Sequence, residues 1–97
     1  MKAIFLACNQ ALYDEILHAM EQCGVRGYTG WEEVTGCGMT TGEPHLGSHA
    51  WPTMNSSLLA IAGDEAADKF LAELKRIDTE NEKLGLRAFW WPVGGTI

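Results

Sequence analysis

The fold is decided first by the opening stretch Lys2-Ala3-Ile4-Phe5-Leu6-Ala7-Cys8. All of its residues after the lysine are apolar, and its length suits a strand better than a helix. Apolar residues at successive positions place apolar side chains on both faces of a sheet. The stretch therefore predicts a β-strand that needs cover on both sides.

The rest of the chain continues a pattern of strands and helices. Asn9 is a candidate N-cap, and apolar residues at helical spacing from Leu12 to Cys23 predict a helix over residues 10–23 that ends at Gly24. Further segments are predicted as a strand over about 26–37, a strand over 55–63, a helix capped by Asp64 and a strand over 86–91. Glycines and prolines predict one long loop over about 36–52.

This order predicts an α+β fold of the ferredoxin-like βαββαβ type. The expected architecture is a four-stranded antiparallel sheet with two helices on one face and the long loop between strands 2 and 3. With 97 residues the chain is expected to form one domain, 1–97. Two helices cover only one face, so the other face is expected to be buried by another subunit, since Phe89, Trp90 and Trp91 are unsuited to water.

Composition restricts the classes of partner that the protein is expected to bind. The chain has 7 Lys and Arg against 13 Asp and Glu, a net charge of -6, which opposes binding to nucleic acid. Its apolar runs are too short to insert into a membrane, and no signal peptide is apparent. Its cysteines, Cys8, Cys23 and Cys37, are odd in number and form no Cys-x-x-Cys pair, which indicates a reducing cytoplasm.

Two runs in the second predicted strand carry a resemblance to a known family. They are Gly24-Val25-Arg26-Gly27-Tyr28-Thr29 and Glu33-Val34-Thr35-Gly36-Cys37-Gly38. They resemble the PII signalling proteins, in which Gly-Ile-x-Gly-Met-Thr leads to Glu-Val-x-Gly-x-Gly and opens the long T-loop. The resemblance implies a ferredoxin-like homotrimer that binds adenine nucleotides in clefts between subunits and grips a membrane transporter or an enzyme with its T-loop.

Carried onto this chain, the resemblance implies that Gly27, Thr29, Gly36 and Gly38 line such a cleft. Glycines allow a backbone to approach a phosphate closely, and the threonine hydroxyl can bind a base or sugar. The segment 36–52 takes the place of the T-loop.

The chain departs from the family pattern in three places. One extra residue follows Thr29, which reverses the facing of later side chains unless a bulge absorbs it. The Gly-x-Gly-Lys phosphate loop is replaced by residues 80–85, which leaves Arg87 near the position of the lysine as a ligand residue. The C-terminal basic pair has no counterpart before Ile97. With so few basic partners a triphosphate would be poorly neutralised, which argues against ATP binding in the usual family manner.

The long loop holds a second possible site. His45 and His49 lie four residues apart, with Glu43 beside them and Cys37 upstream, and these residue types are ligands for Zn or Cu. The alternative is that the histidines bind backbone groups and hold the shape of the loop. Trp31 and Trp51 could likewise pack on each other or form a stacking wall for a ligand.

Three functions follow from these patterns, none of them enzymatic, because no catalytic motif of known mechanics is present. The first is a PII-like cytoplasmic regulator that binds a small ligand and controls a partner through the loop. The alternative is a trimeric Zn or Cu protein, similar to the divalent-cation tolerance proteins. In the third, the loop only clamps subunits together.

Overall fold

The computed structural model of the protein describes residues 1–37 and 54–97. Its elements are β1 (Lys2–Asn9), a 3₁₀ turn (Gln10–Leu12), α1 (Tyr13–Gln22), β2 (Tyr28–Val34), β3 (Asn55–Ala62), α2 (Asp64–Glu80) and β4 (Leu86–Pro92). The predicted order of strands and helices is confirmed. No helix among these elements is long and apolar enough to cross a bilayer.

The four strands form one antiparallel sheet in the order β2-β3-β1-β4. Along β1, Lys2 lies opposite Ala62 of β3 and Pro92 of β4. The apolar stretch 2–8 is therefore a strand, as its sequence predicted, and it is a central strand that pairs with a neighbour at each edge. Together with the two helices this is the predicted ferredoxin-like arrangement.

The core lies between the sheet and the helices. Ile4 and Leu6 of β1 point to this side, where they meet Ile16 of α1 and Phe70 and Ile77 of α2, all fully buried. These residues recur every second position in the strand and every third or fourth in the helices, the spacings that keep side chains on one face. Cys8 and Cys23 also belong to this side, where Cys8 is buried and Cys23 packs against the core.

The helices differ in detail from their predicted limits. The first begins as the 3₁₀ turn, where the Asn9 side chain accepts a hydrogen bond of 2.9 Å from the Ala11 amide. The second has Gly63, not Asp64, at its N-cap position and no side-chain cap. It ends at Glu80, where the Asn81 side chain donates to the Ile77 carbonyl over 2.9 Å and satisfies an end carbonyl.

The second strand is shorter than predicted and contains a bulge. The pairing between β2 and β3 is regular from Tyr28 to Trp31 and shifts between Trp31 and Val34. Opposite the irregularity, the Ser56 hydroxyl donates to the Glu32 carbonyl over 2.6 Å. The bulge lies where the extra residue after Thr29 required one, so the strand absorbs the insertion.

The face of the sheet away from the helices is covered by none of the described elements. It exposes large apolar side chains from all four strands: Phe5, Trp31, Ile61, Phe89 and Trp91. Trp90 lies on the opposite side of β4, opposite Ile4, and is also about half exposed. We call the uncovered side the open face.

Candidate ligand-binding groove on the open face

The open face contains a groove of about 520 Å³ that reaches across all four strands. A volume of this size is typical of small-molecule sites. Its described lining residues are Phe5, Ala7, Trp31, Val34, Thr35, Gly36, Cys37, Asn55, Ser57, Arg87 and Phe89. Most of this lining is apolar, and Arg87 is its only charged residue among those described.

Strand pairing builds the floor and the walls of the groove. Ala7 of β1 lies opposite Ser57 of β3, so two small side chains form the floor at the centre of the sheet. Trp31 of β2 lies opposite Ser57 on one side, and Phe89 of β4 lies opposite Phe5 on the other. A trough with small residues below and aromatic residues at its sides suits a flat ligand that stacks on aromatic rings.

One end of the groove carries the polar and charged groups. Arg87 lies opposite Ala7 near the start of β4, and its guanidinium carbon lies 5.9 Å from the centroid of the Phe89 ring. This cation–π contact orients the side chain over the groove and leaves its N–H groups available to an anion.

Gly36 closes the same end. A Cβ atom at Gly36 would collide with the side-chain amide of Asn55, which is itself nearly buried. The absence of a side chain thus lets the chain pass close to Asn55 as it leaves β2. The structure therefore brings Gly36 and Arg87, both predicted as ligand residues, to one end of one groove.

The other predicted ligand residues lie at the opposite end of β2. The Gly27 carbonyl accepts a hydrogen bond of 3.1 Å from the Ile61 amide, and Thr29 lies opposite Leu59. Asn55, at the Gly36 end, is six residues from Ile61 along β3, a distance of about 20 Å at the usual strand rise. Gly27 and Thr29 do not line the groove. Gly38 lies outside the described residues.

The predicted metal ligands are not brought together in the described part of the chain. His45, His49 and Glu43 lie outside the described residues, as does Trp51. Within residues 1–37 and 54–97, no group of His, Cys, Asp and Glu side chains could hold a metal ion. Cys37 is exposed at the end of the groove. Nothing supports the prediction of a Zn or Cu site.

Burial raises the pKa of both cysteines on the helix side of the sheet. Burial raises the pKa of the Cys8 thiol to about 11, so it stays protonated near neutral pH. Burial also raises the pKa of Cys23. Both residues pack in or against the core.

Sequence reasoning misses most of the groove. The sequence identifies four of the lining residues only as strand residues, because their meeting depends on the register of three strands. These residues are Phe5, Ala7, Ser57 and Phe89. The available signal is the run of apolar residues at successive positions in β1 and β4, which indicates a second apolar face without showing that it is hollow at its centre.

Comparison with known proteins places the chain in a family. The family model for nitrogen regulatory protein P-II matches residues 1–94. A search of curated sequences finds no match. Among solved structures, a protein of Thermus thermophilus described as a putative PII-like signaling protein is 20% identical, with a TM-score of 0.67 over 93% of this chain and 83% of the other.

Two structures of CPII, a nitrogen regulatory PII-like protein of Thiomonas intermedia K12, are also similar. The form bound to ADP and bicarbonate is 17% identical, with a TM-score of 0.73 over 93% of this chain and 82% of the other. The apo form is 16% identical, with a TM-score of 0.65 over 98% and 92% of the two chains. At these identities the structures agree in fold alone, whereas the family model extends over nearly the whole sequence. The chain belongs to the nitrogen regulatory protein P-II family.

Proposed function

We propose that this protein is a PII-like cytoplasmic regulator that binds an adenine nucleotide in clefts between subunits of a homo-oligomer, a trimer by family resemblance. In this proposal the segment 36–52 transmits the bound state to a partner such as a transporter or an enzyme. Gly27, Thr29, Gly36, Gly38 and Arg87 are proposed to contact the ligand. No catalytic step is included.

The observation that carries the proposal is the separation of the predicted ligand residues. Gly27 lies about 20 Å from the Gly36 end of the sheet, which is longer than a nucleoside diphosphate. One ligand can therefore touch both Gly27 and the Gly36 end only if these come from different copies. A head-to-tail contact between copies supplies this arrangement, and the exposed aromatic residues of the open face supply apolar surface for such a contact.

The identity of the ligand follows from fold and charge together. CPII, which shares the fold, has been solved with ADP and bicarbonate and with ADP, AMP and acetate. In this chain Arg87 is the one cation of the described groove, and the protein carries a net charge of -6. Charge neutralisation thus favours AMP or ADP over ATP.

Calorimetry with AMP, ADP and ATP tests the proposal on the wild-type protein and on Arg87→Ala. We expect ADP to bind at one site per subunit. Arg87→Ala should weaken this binding at least about tenfold, because charge-assisted hydrogen bonds to phosphate contribute about 1.5–3 kcal/mol. Lys75→Ala is the matched control, since it removes an exposed cation that does not line the groove.

Hydrogen exchange over residues 36–52, with and without ADP, tests the role of the segment in the same samples. We expect slower exchange in the bound state. Failure of all three nucleotides to bind would overturn the ligand, and identical exchange with and without ADP would overturn signalling through this segment.

A further inference from the structure

A second groove lies on the helix side of the sheet, between α2 and the edge strand β4, and has a volume of about 410 Å³. No described residue lines both this groove and the one on the open face. We call it the α2–β4 groove. Its described lining residues are Leu71, Ala72, Leu74, Lys75, Asp78, Leu86, Ala88 and Trp90.

The strand wall of the α2–β4 groove is apolar. Leu86, Ala88 and Trp90 are alternate residues of β4, so their side chains share the face that is turned toward α2. Ala88 is a small residue between two large ones, which leaves the wall hollow at its centre. Trp90 is about half exposed, so its ring has surface available to a ligand.

The helix wall carries both apolar and charged side chains. Leu71, Lys75 and Asp78 are spaced by four and three residues, which places them on one stripe of α2. Lys2 lies opposite the last residue of β4 and forms an ion pair with Asp68, so the start of α2 lies near the end of β4. The groove therefore has an apolar end, with Leu71 and the tryptophan of β4, and a charged end.

The charged end offers one cation and one anion. Lys75 and Asp78 are exposed, and within residues 1–37 and 54–97 neither side chain takes part in an ion pair, with the other or with any further residue. Residues three apart on a helix have Cβ atoms about 5–6 Å from each other. This separation suits a ligand that carries an anionic and a cationic group on one carbon atom.

We propose that the α2–β4 groove binds an apolar α-amino acid. The Lys75 ammonium donates to the carboxylate of the ligand, and the ammonium of the ligand donates to the Asp78 carboxylate. The side chain of the ligand enters the apolar end, where an aromatic ring stacks on Trp90. The volume of the groove lies in the range of small-molecule sites, roughly 300–1,000 Å³. The inference is independent of the proposed function, because it uses no residue of the open face.

An NMR titration of the wild-type protein with L-phenylalanine tests this inference. The indole N–H signal of Trp90, identified by its absence in Trp90→Phe, should shift until the site is saturated. Glycine, which has both charges and no apolar side chain, should leave the signal in place. Absence of a shift with L-phenylalanine up to its solubility limit would overturn the site.

Two blocked compounds test the recognition of the two charges. N-acetyl-L-phenylalanine lacks the ammonium charge and L-phenylalaninamide lacks the carboxylate. Each should bind about two- to fivefold more weakly than L-phenylalanine, because one ion pair with an exposed side chain is lost. Equal affinity for all three compounds would overturn the assignment to an amino acid.

Substitutions in the groove test its location. Lys75→Ala and Asp78→Ala should each weaken binding of L-phenylalanine about two- to fivefold. Ala88→Leu should weaken it at least about tenfold, since the larger side chain fills the hollow. Ala72→Leu fills the groove from an exposed position of α2, where leucine is a good helix former, and keeps the test decisive if Ala88→Leu does not fold. Lys83→Ala, which removes an exposed cation that lines neither groove, is the control.

Circular dichroism confirms that the variants are folded, and ADP binding in the same samples separates the two sites. Unchanged affinity for L-phenylalanine in folded Lys75→Ala, Asp78→Ala and Ala72→Leu would overturn the assignment. Wild-type protein that binds ADP and not L-phenylalanine would refute this inference alone, and binding of L-phenylalanine without ADP would refute only the proposed function.

An exchange of the two charges tests their roles most directly. Lys75→Asp and Asp78→Lys should each weaken binding of L-phenylalanine, because two like charges then face one ammonium or one carboxylate. The double variant again presents one cation and one anion, and its affinity should exceed that of either single variant at least about twofold. No recovery in the double variant would overturn the paired recognition.

Discussion

The same four strands build both faces of the sheet, but apolar side chains are buried on one face and exposed on the other. On the helix side, Ile4, Leu6 and Leu58 are completely buried within the chain. On the open face, Phe5 and Ile61 are 37% exposed and Phe89 is 53% exposed, although each is as apolar as its neighbours on the other side. Strand alternation distributes apolar residues equally, but the helices cover only one face. One chain therefore buries the core of the helix side by itself, whereas the open face needs another surface to cover it.

The largest expected effect on stability comes from a core residue on the helix side of the sheet. Phe70 of α2 is fully buried against the sheet, so Phe70→Ala should lower the free energy of unfolding by about 3–5 kcal/mol through lost burial and a cavity. Phe89→Ala removes the same group from the open face. At low protein concentration, where copies are separate, it should cost less than about 1 kcal/mol.

Urea unfolding at low and high protein concentration measures both variants. The cost of Phe70→Ala should not change with concentration, whereas that of Phe89→Ala should rise as copies associate. If the two variants lose equal unfolding free energy at low concentration, the two faces do not differ in how one chain buries them.

The next largest expected effect is on self-association, because we expect another copy to cover the open face. Phe89→Asp places a carboxylate on the surface where we expect contact between copies, and burial of an unpaired charge costs several kcal/mol. The dissociation constant for self-association should increase at least about a hundredfold. Sedimentation equilibrium measures the change, with Thr79→Asp as a control that adds the same charge on the exposed surface of α2. An unchanged mass distribution for Phe89→Asp would show that the open face is not the contact surface.

The difference between the faces also explains how far the sequence could predict the structure. Periodicity determines which residues of one element share a face, so the strand over 2–8 and the existence of the second helix were predictable. The need for a bulge in β2 was predictable for the same reason, because one extra residue conflicts with the two-residue period. The ends of β2 were not, since Arg26 and Gly27 are extended in sequence pattern but only the Gly27 carbonyl bonds to β3.

The groove required information that no single segment contains. Gly36 and Arg87 are far apart in sequence, and they line one end of the same groove because the register of the four strands aligns the end of β2 with the start of β4. Gly27 is close to Gly36 in sequence, yet the extended chain carries it to the other end of the sheet, opposite the end of β3. The family resemblance implies one cleft for all of them, whereas strand rise separates Gly27 from the Gly36 end by about 20 Å within one copy.

The smallest expected effect compares two glycines of the same segment that face the two sides. A Cβ atom at Gly30 would collide with the hydroxyl of Tyr13, a largely buried ring that has little room to move, and would press on Tyr28 at 3.2 Å. Gly30→Ala should therefore cost about 1–3 kcal/mol of unfolding free energy, as overpacking does elsewhere. At Gly27 the nearest atom is the Ile61 carbonyl oxygen at 3.6 Å, an ordinary contact.

Gly27→Ala should consequently change stability by no more than about 0.5 kcal/mol, because the added methyl group enters open space and also restricts the unfolded chain. Thermal or urea unfolding of the two variants under one condition checks the difference. If both substitutions prove neutral, Tyr13 yields easily and the helix side is less tightly packed than its burial indicates. If both are costly, the Gly27 end is also confined, and a surface that is open in one chain is already occupied by a neighbouring copy in solution.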